Sequence, residues 1–359
     1  MELTELLVGT KKGLFVLDGE PGTGFEIRAR AFAGEPVDYA TRDPRSGRLL
    51  ATMTSPFYGP KIFFTDGDPG GDWEQAAGVE LPEGGERALE RIWVIARGEA
   101  DGTLYAGGDP GVLFESHDGG AHWERNAGLW EQPSRPDWQP GGGGLCLHSI
   151  CTWPGDPQRL AVAISAAGMW LTDDGGRSWR RGNQGIVPPY LPAEALKDEN
   201  AGRCVHHVER APLAPERMFM QFHGGVYRSD DAGASWTDIG GGGLPSNFGF
   251  PLMLDPADPD SAFVIPLVAD MDRTTPDARV RVYETRDAGA SWTPRGDGLP
   301  AENAYLTVLR QAFHRLGEGE QLQLYFGATS GDLFGSGDAG ATWETVATRL
   351  PPVHSVVAV

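Results

Sequence analysis

The residues with the most evident chemical capacity are His148, His206 and His223. Together with Glu199 they offer three imidazoles and a carboxylate suited to zinc, manganese or iron, with a position left for water or substrate. One divalent metal is therefore the implied cofactor. Without an ion, the same imidazoles serve as proton donors and acceptors near neutral pH, and no cofactor is needed. The plainer reading is that a histidine on a half-buried strand is a hydrogen-bonded core residue. Strand alternation also sends His206 and His207 to opposite sides, so that at most one of them faces a channel.

A second constellation is Asp109, Arg91 and Arg310, read as catalytic residues, because a bidentate arginine is the natural partner of a substrate carboxylate or phosphate. Lys11, Tyr39, Asn247, Asn303 and Thr329 complete the set as expected substrate contacts, with Arg203 and Arg279 in nearby loops. In a chain with 50 acidic and 30 basic residues, an arginine on a solvated rim or in an ion pair is the ordinary alternative.

These residues are far apart in the chain, and an internal repeat supplies the scaffold that would unite them. Five segments read Ser/Thr, any, Asp, any, Gly, any, any, Trp, ending at Trp123, Trp179, Trp236, Trp292 and Trp343; a sixth, Asp66 to Trp73, keeps Asp68, Gly70 and the Trp. The tryptophans at 73, 123, 179, 236, 292 and 343 are spaced by 50, 56, 57, 56 and 51 residues, the length of a propeller blade. In such a segment the Asp accepts backbone N–H bonds of its own turn, Gly takes positive φ, and Trp covers the turn. An EF-hand is excluded, because its loop needs more acidic ligands and a bidentate Glu at the twelfth position.

Each unit holds four short strands, A to D, with the repeated segment joining C to D. Candidate A strands are Val37–Thr41, Arg91–Ala96, Leu147–Thr152, Val205–Arg210, Phe248–Leu254 and Ala304–Arg310. The chain begins on a B–C hairpin, Leu6–Leu17, and ends on Val353–Val359, an unaccompanied A strand. Joining the two, with Phe25–Ala31, completes a seventh blade and removes a free sheet edge. The expectation is an all-β, seven-bladed propeller of four-stranded blades, one domain over residues 1–359.

In that geometry the D–A connections and B–C turns share one face, the channel mouth. Long D–A loops at 78–90, 127–146 and 182–204 and a B–C insert at 268–280 are expected there as a lid. The mouth would receive the A-strand starts (Asp38, Tyr39, Arg91, His148, His206) and the B–C turns (Lys11, Asp109, His223, Thr329). The glycine runs 141–144 and 240–243 lie between strands and read as linkers.

Composition narrows the partners. Gly (51) and Pro (28) fit a turn-rich β fold, and 40% hydrophobic residues with 11 Trp can build a large core. A formal net charge of -20 argues against nucleic acid and anionic membrane surfaces. Cys146, Cys151 and Cys204 form no disulfide framework, and the first residues carry no secretory pattern, so a cytoplasmic location is expected.

The repeated segments resemble the BNR or Asp-box repeats of sialidases, sortilin-type receptor domains, xyloglucan hydrolases and photosystem assembly factors. The chain as a whole resembles bacterial cytoplasmic seven-bladed proteins described as sialidase-like or glycosyl hydrolase-like. That resemblance rests on Leu6–Phe15, Cys204–His206, His223–Asp231 and Phe248–Pro251. It implies a propeller and a hydrolase-like role, although fold does not carry function with it. The Arg-Ile-Pro string of true sialidases is replaced by Arg91-Ile-Trp93, which points away from sialidase activity. The leading expectation is an enzyme acting on a small anionic or carbohydrate-like substrate at the mouth. The alternatives are a protein-binding scaffold or assembly factor, using aromatics such as Trp130, Trp138 and Tyr190, and a ligand-binding propeller without turnover.

Overall fold

The fold is known from a computed structural model that describes residues 3–82, 87–197 and 202–359. Seven four-stranded antiparallel sheets are arranged as blades of a ring. The innermost A strands are Val353–Ala358 (blade one), Val37–Arg42 (two), Arg91–Arg97 (three), Leu147–Trp153 (four), Val205–Arg210 (five), Phe248–Asp255 (six) and Phe313–Leu316 (seven). Each lies against the A strands of the blades on either side.

Closure is made by the C-terminal strand. Val353–Ala358 pairs antiparallel with Thr4–Thr10, with Leu7 opposite Val357 and Val8 opposite Val356. Blade one is then completed by Gly13–Glu20 and Gly24–Ala31. Apolar residues on both faces of each sheet form the core between blades; Leu6, Val8, Phe263, Phe313, Phe326 and Val356, for example, join blades six, seven and one in one cluster.

The repeated turns have the bonding that their residue types require. In blade three, Ser116 Oγ donates to Asp118 Oδ1 and accepts from Gly120 N, Asp118 Oδ1 accepts from His122 N, and Trp123 Nε1 donates to Gly120 O, all at 2.9–3.0 Å. The Trp amide in turn bonds the preceding blade: Trp123 N to Ala77 O, Trp236 N to Gln184 O and Trp343 N to Asp297 O. One local turn thus caps its own blade and ties it to the preceding one.

Blade seven departs from the expected pattern. Residues 304–310 form a loop, and the A strand begins at Phe313. The backbone groups of 304–310 are spent on neighbouring loops, Ala304 N on Ala278 O and Thr307 O on Thr329 N, while Thr307 Oγ1 donates to Arg273 O. Residues 296–312 therefore form a fourth long D–A loop, and Arg310 precedes its strand, on the mouth side.

The A strands of blades two to five each carry a β-bulge near their start, which leaves Asp38, Trp93, His148 and His206 unpaired in the ladder; in blade six Phe250 and Pro251 are skipped likewise. Such bulges re-aim side chains next to sites. Cys146, Cys151 and Cys204 are unpaired thiols, and no described helix is long and apolar enough to cross a membrane.

Candidate functional site

The channel contains two cavities. The one at the mouth encloses about 490 Å³ and is lined by Asp38, Glu90, Arg91, Trp93, Asp109, Gly142–Gly144, Phe250, Arg273, Leu309, Arg310, Gln311 and His354. Of the sequence-predicted catalytic set, Arg91, Asp109 and Arg310 all border it. The three come from an A-strand start, a B–C turn and the 296–312 loop.

Arg310 is the least satisfied of them. Its Nε is shielded from water without a hydrogen-bond partner, and among the described residues no carboxylate pairs with it. Its guanidinium instead packs 5.0 Å from the Phe250 ring centroid and 5.6 Å from that of Trp93. Burial, with Arg273 and Arg91 nearby, lowers its proton affinity. Arg91 also packs on Trp93, at 4.7 Å, and reaches Asp38 Oδ1 at 3.3 Å. Arg273, from the insert after Leu267, lies 5.3 Å from the Phe250 ring and donates its Nε to Asp270 O. Three guanidiniums thus share one aromatic-walled cavity. Trp93 Nε1 and His354 Nδ1, also at its wall, lack hydrogen-bond partners.

The carboxyls differ from ordinary surface ones. Asp109 is buried, with Oδ1 accepting from Leu145 N at 3.2 Å and Oδ2 from the Cys146 thiol at 3.5 Å. Burial raises its pKa, as it does that of Asp38, whose Oδ2 accepts from Thr54 Oγ1 at 2.6 Å. Both therefore hold their protons to higher pH than free aspartate, the condition for a general acid.

Asp109 fits only because residue 144 has no side chain. A Cβ on Gly144, at φ +90°, would lie 2.1 Å from Asp109 Oδ2. The glycine run that reads as a linker is thus part of the cavity wall.

The expected substrate contacts lie elsewhere. Tyr39 is buried at the second cavity, about 330 Å³ at the opposite end, beside His207, Glu209 and Arg315. Lys11 is exposed on a short turn fixed by its N–H to Pro352 O. Asn247 is exposed and its carbonyl accepts from Gln221 Nε2; Asn303 is exposed at φ 54°. The Thr329 amide is bonded to Thr307 O. None of the five borders the mouth cavity.

The histidines divide in two. His206 and His223 meet with ring centroids 5.3 Å apart, and the third member of their group is Cys204: one ligand atom from each lies within 4.8 Å of the others. His148 is not in this group. Its Nε2 bonds Val205 O at 2.9 Å, which ties blade four to blade five, its Nδ1 bonds Ser149 Oγ at 3.0 Å within its own strand, so both ring nitrogens are occupied, and burial keeps the ring neutral. Glu199 lies outside the described residues. Trp138, expected as an exposed aromatic, is buried against Trp170 at 5.0 Å; Trp130 is half-buried under Arg135 at 3.8 Å, and Tyr190 is exposed.

No family model and no curated protein matches the chain. Solved structures do. An ancestral GH74 enzyme aligns at TM-score 0.60 and 16% identity over 97% of this chain and 40% of its own, so this chain spans well under half of that protein. A 6-phosphogluconolactonase-like protein of Bacteroides uniformis ATCC 8492 aligns at TM-score 0.61 and 12% identity over 100% of both chains. YCF48 bound to D1 peptide aligns at TM-score 0.54 and 14% identity over 91% of this chain and 86% of its own. At these identities the likeness is one of fold, and the conclusion it carries is that the chain shares the propeller architecture of these proteins.

Proposed function

We propose that the protein is a hydrolase-like enzyme acting, at the mouth cavity, on a small carbohydrate-like substrate that bears a carboxylate or phosphate. Arg91, Arg273 and Arg310 hold the anion and Asp109 donates a proton to the leaving group. The observation that carries this reading is Arg310, a part-buried guanidinium at the cavity wall whose Nε is shielded without a partner and which pairs with no carboxylate among the described residues. A guanidinium partly withdrawn from water without a counter-charge is destabilising, and a bound anion offsets that cost. Trp93 and Phe250 offer flat apolar faces to the remainder of the ligand.

The test is a turnover screen with paired neutral and anionic glycosides, lactones and esters, run on wild type and Asp109→Asn. Turnover confined to anionic members, lost in Asp109→Asn while binding persists, supports the reading. Binding without turnover across the screen would leave a ligand-binding propeller instead. A second reading, a protein-docking rim, is favoured by one observation: Phe57, Tyr58, Val187, Tyr190, Val268, Met271 and Tyr305 are exposed, all in turns or loops of the mouth face.

A further inference from the structure

A chemically distinct group stands in the wall beside the arginine cavity. Cys204 closes the long 182–204 loop, His206 is the bulged residue of the blade-five A strand, and His223 sits in the B–C turn of the same blade. The His223 amide bonds Cys204 O at 3.0 Å, which ties turn to loop and fixes how the thiol and imidazole face each other.

Each residue is already oriented. His206 Nδ1 donates to Gly249 O at 2.6 Å, which leaves Nε2 as the free lone pair. A metal-bound histidine commonly has its second nitrogen held in this way. His223 Nε2 lies 3.6 Å from Asp270 Oδ2, a carboxylate brought over from the blade-six insert. Around the three stand aromatic rings: Tyr190 is 4.7 Å and Phe248 5.2 Å from His223, and Phe250 is 4.8 Å from His206. An ion here would have an apolar surround that limits water access and strengthens its bonds to charged ligands.

From this arrangement we propose that Cys204, His206 and His223 form a metal site for one zinc ion, with Cys204 as thiolate, two imidazoles and an open fourth position. One sulfur and two nitrogens match the ligand preference of zinc, and three protein ligands with one free position is the pattern of sites that keep a water. Hard ions such as magnesium or calcium find no oxygen cage here among the described residues. Phe250 contributes to both walls, but Cys204, His206 and His223 do not line the arginine cavity, so the two sites are adjacent and have no ligating residue in common. The zinc site does not depend on the anion reading.

The experiment uses full-length protein, reduced and stripped of metal, titrated with Zn(II) by calorimetry and with Co(II) by absorption spectroscopy. The expected result is one ion per chain, with Co(II) giving a thiolate-to-metal charge-transfer band that Zn(II) displaces. Cys204→Ser removes the band, and His223→Asn, at a half-exposed turn that tolerates change, weakens zinc binding at least about tenfold. Cys151→Ala, a thiol in another part of the fold, leaves both unchanged. A folded wild type that gives no such band, or a band that survives Cys204→Ser, would overturn the assignment. Anion binding measured on the same metal-free protein keeps the two sites' outcomes separate.

Discussion

Gln311 donates its side-chain amide to the backbone carbonyl of His148 at 2.7 Å, a bond that joins blade seven to blade four across the channel. Gln311 borders both cavities, so this bond is the partition between them. Its own carbonyl accepts from Val356 N, which anchors it to the closing strand. Gln311→Ala leaves the His148 carbonyl without this donor and should cost about 1–3 kcal/mol, read as a lowered denaturation midpoint at unchanged slope. An unchanged midpoint would show that the crossing bond contributes nothing.

The close approach of Gly144 to Asp109 gives a paired test. Gly144→Ala forces a Cβ against the carboxylate and adds a strained left-handed backbone, about 1–3 kcal/mol. It should therefore lower both stability and turnover. Gly142→Ala meets nothing within 4 Å and should leave both intact. Equal effects from the two variants would remove the role assigned to the glycine run.

Blade-to-blade registration rests on a second glycine. Gly298 has φ +85° and a Cβ there would lie 2.0 Å from Trp343 O, whereas Gly155, also at positive φ, opens onto free space. Gly298→Ala should lower the melting temperature by several degrees more than Gly155→Ala, the difference being the backbone clash at the seam. Similar losses would mean that φ alone sets the cost.

Acid sensitivity should come from buried neutral histidines. His314 Nδ1 accepts from Ala358 N at 3.1 Å, and burial pushes its pKa down to about 4; burial also pushes that of His354 down to about 4. In the unfolded chain both titrate near 6.5, so between about pH 6.5 and 4 the unfolded state binds more protons than the native one. Stability is then fully present above that window and lost as pH falls through it. Thermal unfolding from pH 7 to pH 5 should show a falling midpoint, and His314→Gln should flatten the slope; a slope unchanged in the variant would exclude His314 as its source.

The ring was legible because its signal is local: each Trp turn satisfies its own backbone, so the period of the tryptophans reports the blades directly. Arg91 and Asp109 were legible for the same reason, as residues at the ends of strands. Arg310 was not. Residues 304–310 alternate apolar and polar-edged positions as a strand does, but their hydrogen bonds go to the insert and to Thr329, pairings that no short window reveals. Arg273 was hidden in an insert notable for its aspartates. The bulges that release Asp38, Trp93 and His206 have no composition of their own, and Cys204 reads as one more reduced thiol until the fold brings it to His206 and His223.

The most direct test of the central claim is calorimetric titration of inorganic phosphate and of a small carboxylate into wild type and Arg310→Gln. The account predicts saturable binding of one anion per chain that weakens by about 10- to 100-fold in the variant, the worth of a charged hydrogen-bonding partner. Equal affinity in the two proteins, or no binding to a folded wild type, would contradict it.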